Sequence, residues 1–156
     1  MLLTAILVAS IFVALSLLHV YWAAGGQWGS EAAIPKIPSS GSHENGGQSP
    51  TDVYPEMVKA FSPGPAITLV VAGGLALIAL LVTLRAGLLG EPIRHWLLQT
   101  SIIALAIVML ARAVGDFRLV GFFKTVTNSQ FAQMDSFYYS PLCVLLGLGL
   151  AIVATS

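Results

Sequence analysis

The chain has 156 residues, of which 56% are hydrophobic and only 9% are charged. A soluble domain usually carries about 25% charged residues, and one of this length needs a polar exterior that this composition does not supply. The composition therefore excludes a soluble globular protein. The formal net charge of zero gives no basic surface for nucleic acid, so no nucleic-acid partner is expected.

Four apolar stretches are long enough to cross a bilayer as helices, which takes roughly 20 apolar residues. We expect these helices at about 1–24, 66–84, 94–114 and 137–156. The fourth begins between Phe137 and Pro141, and Pro141 fits its start because proline suits the first turn of a helix. The sequence thus predicts an all-α polytopic membrane protein, a small bundle of four transmembrane helices that forms a single membrane domain over residues 1–156.

The first apolar stretch is predicted to be a retained helix and not a cleaved signal peptide. It has no basic residues ahead of its apolar run, and that run is longer than the apolar region of a typical signal peptide. Tyr21 and Trp22 also stand where cleavage would need small residues. Small residues elsewhere are expected to let neighbouring helices approach closely. These are Ala72, Gly73, Gly74, Gly147 and Gly149.

Residues 30–65 form a connection that is rich in proline, glycine and serine. The Asn45-Gly46 pair is typical of a turn, and a connection of this length is usually functional or mobile. A short helix is predicted at about 52–61, with Thr51 or Asp52 as its N-cap.

The polar chemistry is predicted to gather at one membrane face. With four crossings, the end of the first helix, the end of the third and the start of the fourth emerge on the same side. Ionisable groups at membrane depth are costly and rare, so they are candidates for a functional site. The candidate ligand-binding residues at this face are His19, Trp22, Arg112, Asp116, Arg118, Asp135 and Tyr139.

Each of these candidates also has a structural interpretation. His19 either meets the headgroup region and a backbone carbonyl, or anchors a ligand through an imidazole that titrates near neutral pH. Arg112 and Asp116 are four residues apart, so a continuing helix would stack them as an ion pair. Alternatively, Arg112 or Arg118 holds an anionic headgroup or carboxylate. Asp116 or Asp135 would then supply a carboxylate for proton transfer, which leaves enzymatic activity an open question.

The segment from Arg112 to Lys124 is typical of a stretch that follows the membrane surface, with basic heads near phosphates and three phenylalanine rings among the chains. No histidine or cysteine cluster has the spacing of a metal site, so no metal is expected. The sequence contains no phosphate-binding glycine loop, hydrolase elbow or nucleotide motif, and we expect no cofactor. Cys143 is interpreted as a small packing residue.

Three stretches carry a family resemblance: His19–Gly29 (HVYWAAGGQWG), Arg112–Lys124 (RAVGDFRLVGFFK) and Phe131–Cys143 (FAQMDSFYYSPLC). They resemble a bacterial family of small four-helix membrane proteins, domain of unknown function 3995. The resemblance covers nearly the whole chain. It implies four helices and a location in the bacterial inner membrane, and it implies no activity. The serine- and glycine-rich insertion after Ile34 departs from the family.

Two functions follow from these residues. The first is a pocket at one membrane face that binds a lipid or small molecule. The second is an accessory or assembly subunit of a larger membrane complex, which would dock on a membrane-protein partner through the aromatic and basic stretch from Phe117 to Phe123. In both hypotheses the lipid bilayer itself is a partner of the protein.

Overall fold

The computed structural model describes residues 1–38, 57–59, 63–127 and 129–156. Three of its long helices are α1 (Leu2–Ala23), α3 (Pro65–Ala86) and α4 (Trp96–Val114). The fourth runs from Gln130 to Thr155 as α5 (Gln130–Met134), a π-helical segment (Asp135–Tyr139) and α6 (Ser140–Thr155). A short helix, α2 (Ser30–Ala33), follows α1.

These four helices are long and apolar enough to cross a membrane. The prediction of an all-α protein with four transmembrane helices is therefore confirmed, and the chain is an integral membrane protein. The fourth helix is longer than the predicted 137–156, because it begins at Gln130 and includes the π-helical turn. One extra residue per turn in a π-helix keeps this polar stretch helical without a break.

Local chemistry explains where the helices begin and end. Pro65 opens α3 at its first position, and Gly87 ends that helix with φ 71°. Such a left-handed conformation favours glycine after a helix. His95 caps α4, where its Nδ1 accepts a hydrogen bond from the Leu97 N–H. Gly115 ends α4 with φ 92°.

The helices pack as two antiparallel pairs, α1 with α3 and α4 with α6, and fewer contacts join one pair to the other. Small residues bring the helices together as predicted at Gly147 and Gly149. A Cβ at Gly147 would lie 2.8 Å from Leu110 Cγ, and one at Gly149 would lie 2.5 Å from Val8 Cγ2. The expectation for Gly73 and Gly74 was wrong, since a Cβ at either would meet nothing within 4 Å.

Most of the buried core lies toward the membrane face that holds the start of α1 and the end of α6. Its fully buried side chains are Ala5, Phe12, Val82, Ile102, Leu150, Val153 and Ala154. At that face Arg85 donates to the carbonyl of Ala154 at 2.9 Å, and Arg94 donates to the backbone oxygen of Ser156 at 2.8 Å. Cations at the end of a helix stabilise its unpaired carbonyls. At this face the buried core and these two hydrogen bonds thus hold the helix ends together.

The connection between α1 and α3 contains a two-stranded antiparallel ladder, β1 (Lys36–Pro38) with β2 (Met57–Lys59). The short helix expected at 52–61 is wrong for residues 57–59, which are extended. The rest of that expectation, and the Asn45-Gly46 turn, lie outside the described residues. The ladder places Lys36 opposite Lys59.

Candidate functional site

The opposite membrane face, where α1 and α4 end and α3 begins, is called the open face below. A pocket lies at this face, between the end of α1 and the start of α3. It is partly open, and its volume is about 320 Å³. Its wall includes His19 and Trp22 from α1, Ile67, Thr68 and Val71 from α3, and Ser30, Ala33 and Ile34 from the α2 region. The lining is mainly apolar with a few polar groups, which is the usual character of a small-molecule site.

Among the described lining residues, His19 carries the titratable side chain, and its ring is held in one orientation. Its Nδ1 lies 2.7 Å from the Leu15 carbonyl oxygen, which can only accept, so Nδ1 carries the hydrogen. The Trp22 ring packs edge-on against the imidazole, with ring centroids 5.1 Å apart. In the neutral imidazole, Nε2 is therefore the ring atom that is left to accept a hydrogen bond from an occupant.

The first family stretch builds the wall opposite α3. Gly25 has φ 94°, and a Cβ at Gly26 would overlap the Tyr21 ring, so the chain can fold back over the end of α1 only with these glycines. Trp22 Nε1 then donates to the Trp28 carbonyl at 2.8 Å. This return brings α2 over the pocket.

Tyr139 supports the same wall from the other side. Its hydroxyl donates to the Ala32 carbonyl at 3.2 Å, while the neighbouring Ala33 lines the pocket. The predicted site residue Tyr139 thus contacts the outer side of α2.

Asp135 lies at the centre of a second polar cluster, on the α4 and α6 side of this face. It is fully buried. Its Oδ1 accepts from Arg112 Nη2 at 2.8 Å, and its Oδ2 accepts from the Gly121 N–H at 2.7 Å and from Lys124 Nζ at 3.0 Å. Buried charges persist in proteins when they are paired and hydrogen-bonded in this way.

The predicted pairing of Arg112 with Asp116 is wrong. Helix α4 ends at Val114, and the left-handed Gly115 turns the chain away before a further helical turn can stack the two side chains. Arg112 pairs instead with Asp135.

Asp116 organises the loop that follows α4. Its Oδ1 accepts hydrogen bonds from the N–H groups of Arg118, Leu119 and Val120 at 2.9, 2.7 and 3.0 Å. These donors hold the pKa of the Asp116 carboxyl below its ordinary value, with the Val120 N–H as the largest cause. The carboxylate is therefore a loop cap. Phe117 takes φ 62° within this turn, which is an uncommon conformation for a residue with a side chain.

Two glycines close the same loop. Gly115 and Gly121 both have positive φ, and a Cβ at Gly115 would lie 2.6 Å from the Gly121 Cα. The Phe122 N–H donates to the Ala113 carbonyl at 2.9 Å across the base of the loop. The second family stretch thus encodes a tight loop that Asp135 anchors.

The structure divides the sequence-predicted residues into two groups. His19 and Trp22 line the pocket. Arg112 and Asp135 form the buried cluster, Asp116 caps the loop, Arg118 lies exposed on that loop, and Tyr139 braces α2. None of the second group lines the pocket among the described residues.

Sequence reasoning missed the role of Lys124 and the α3 side of the pocket. Lys124 was predicted as a basic head near lipid phosphates, but its side chain is 2% exposed and its Nζ also donates to Gly121 and Ser136. Ile67, Thr68 and Val71 lie in a predicted span that is apolar apart from two threonines, so no pattern distinguished them as pocket residues.

Within the described residues, no group of three histidine, cysteine, aspartate or glutamate side chains could hold a metal ion. Cys143 is half-buried in α6 and forms no disulfide. His95 caps a helix at the opposite face, and His43 lies outside the described residues.

Comparison with known proteins gives a family. No curated protein and no solved structure matched the chain. The model of the family described as "Protein of unknown function (DUF3995)" matches residues 12–150, a range that holds all three stretches on which the resemblance depends. The chain therefore belongs to this family.

Proposed function

We propose that this protein binds a lipid or an apolar small molecule in the pocket between α1 and α3. The single observation that carries the proposal is the partly open, mainly apolar cavity of about 320 Å³ with His19 in its wall. Cavities of this size lie at the lower end of the range for small-molecule sites. A histidine inside a transmembrane helix is costly, which favours a role for its second ring nitrogen.

The proposal is for binding and includes no reaction. General acid–base catalysis by the predicted carboxylates would need Asp116 or Asp135 near His19. The first caps a loop and the second is enclosed by Arg112 and Lys124. Among the described lining residues, His19 is the one titratable side chain.

The test is native mass spectrometry of the full chain, extracted gently from its own membranes. Val71→Trp places a large ring in the pocket wall, whereas Val70→Trp adds the same ring at a neighbouring exposed residue that does not line the pocket. We expect a bound molecule in the wild type and in Val70→Trp that is absent from Val71→Trp. The same apo mass in all three would contradict the proposal.

A second candidate function is that of an accessory subunit in a larger membrane complex. The observation that favours it is a set of exposed aromatic side chains in the α4–α5 loop and the π-helical segment: Phe117, Phe122, Phe123, Phe137 and Tyr138. Large exposed apolar patches mark protein or membrane contacts. A stoichiometric protein partner that co-purifies with the wild type and is lost in Phe117→Ser with Phe123→Ser would support this function.

We also propose that the host membrane is the inner membrane of a bacterial cell. Support comes from the bacterial family that the sequence resembles, and from the helical spans, since bacterial outer-membrane proteins are typically barrels. Separation of inner and outer membranes on a density gradient tests the location.

A further inference from the structure

The polar groups in the pocket wall have already used most of their donor hydrogens. Trp22 Nε1 donates to the Trp28 carbonyl at 2.8 Å. The hydroxyls of Ser30 and Thr68 donate to backbone carbonyls three and four residues before them, at 2.8 and 3.1 Å. His19 donates through Nδ1 to a carbonyl of its own helix. The pocket wall therefore offers few free hydrogen-bond donors to an occupant.

Acceptors remain available in the same wall. In its neutral form the imidazole of His19 keeps a lone pair on Nε2, and the hydroxyl oxygens of Ser30 and Thr68 keep lone pairs after they have donated. The lining residues in the part of the chain that the structure describes include no lysine or arginine. The pocket thus matches an occupant that donates a hydrogen bond and carries no negative charge.

The depth of His19 points the same way. It lies about six residues, or roughly 10 Å, from the middle of α1, whereas the hydrocarbon core extends roughly 15 Å from its midplane. The imidazole is therefore below the plane of the lipid phosphates. A phosphate or carboxylate at this depth would lose its hydration without a cation to pair with, which is costly.

We propose that the occupant is a lipid alcohol, an uncharged apolar molecule whose hydroxyl donates to His19 Nε2. This inference rests on the proposed function, since it names the ligand class of the same pocket. The apolar body of the alcohol packs against Ile67 and Val71 of α3 and Ile34 beyond α2.

The test compares three probes of one chain length, 1-dodecanol, dodecanoate and dodecane, on the purified full chain in lipid nanodiscs. Saturable binding is measured by displacement of a photoreactive dodecanol analogue. We expect the alcohol to bind about tenfold more tightly than the acid or the hydrocarbon, which corresponds to about one net hydrogen bond.

Variants assign this preference to the pocket. His19→Leu removes the acceptor, and we expect the alcohol to lose its preference over dodecane while dodecane still binds. Thr68→Val removes a smaller acceptor and should weaken the preference by a few-fold. Thr100→Val is the matched control, because Thr100 lies near the start of α4, also donates to the carbonyl four residues before it, at 2.9 Å, and does not line the pocket.

The outcomes separate this inference from the proposed function. If the acid binds best, the inference is overturned while the pocket stands. If alcohol and hydrocarbon bind equally in the wild type, His19 is not the anchor and the inference fails again. If no probe shows saturable binding, both proposals fail.

Discussion

Arg112 Nη2 lies 2.8 Å from Asp135 Oδ1, although 23 residues separate the two along the chain. This pair ties the end of α4 to the π-helical segment of the fourth span. Lys124 and the Gly121 N–H bind the other carboxylate oxygen, so the loop between the two helices is fixed to the same residue. One buried carboxylate thus organises the α4 and α6 side of the open face, and the His19 pocket lies on the α1 and α3 side.

Asp135→Asn is expected to destabilise the protein strongly. Arg112 and Lys124 would keep their charges without a buried counter-charge, and breaking such a pair typically costs about 3–5 kcal/mol. Thermal unfolding in a mild detergent measures the change. Asp116→Asn, at an exposed carboxylate, is the comparison and should cost far less. Equal unfolding temperatures for wild type and Asp135→Asn would show that the cluster does not hold the loop.

The contribution of Asp116 depends on pH in the acid range. Three N–H donors lower its pKa below the ordinary value of 3.8. The ionised carboxylate therefore stabilises the folded loop at pH values above the unfolded pKa, and this contribution is lost as the pH falls through the folded pKa. We expect the difference in unfolding temperature between wild type and Asp116→Asn to be constant from neutral pH down to about pH 5 and to shrink below about pH 4. A difference that persists undiminished in strong acid would rule out this role.

Gly121→Ala should be destabilising, because its φ of 89° is strained for alanine and the new Cβ would overlap the backbone at Val114 and Gly115. The cost should exceed about 1 kcal/mol. Gly74→Ala is the matched control in α3, where a Cβ meets nothing within 4 Å and alanine favours the helix. Chemical denaturation of both variants gives the comparison. If the two variants unfold alike, the loop does not close as described.

Tyr139→Phe removes the hydrogen bond to the Ala32 carbonyl and leaves the ring in place. Such a bond contributes about 0.5–1.5 kcal/mol, so the global unfolding temperature should fall only slightly. Hydrogen exchange should increase at the amides of residues 30–34, which form the outer wall of the pocket. Unchanged exchange there would mean that Tyr139 does not support α2.

The transmembrane helices could be predicted because each is a long apolar run, and lipid imposes that pattern on every span. The pairing of these helices could not be predicted, because their nearly uniform apolar surfaces do not show which helix faces meet. Gly147 and Gly149 pack tightly while Gly73 and Gly74 face outward, and the four look alike in the sequence.

The sequence predicted most residues of the candidate site, but it did not predict which of them contact one another. His19 was identifiable because an ionisable group in an apolar helix is rare. Arg112 was assigned to Asp116 on helical spacing, although Gly115 between them was a reason to end the helix there. Its actual partner, Asp135, depends on a loop closure at Gly115 and Gly121 that no local pattern specifies. The pocket residues on α3 were not predicted, because Thr68 is the only polar side chain among Ile67, Thr68 and Val71.

The most direct test of the pocket is to map where a ligand binds. The wild-type protein in nanodiscs is labelled with the photoreactive dodecanol analogue, and the modified residues are located by peptide mass spectrometry. We predict saturable labelling in residues 19–34 and 63–71 that excess dodecanol prevents and Val71→Trp abolishes. Labelling spread evenly over lipid-facing positions such as Ile103 and Ile107 of α4, without competition, would contradict the account.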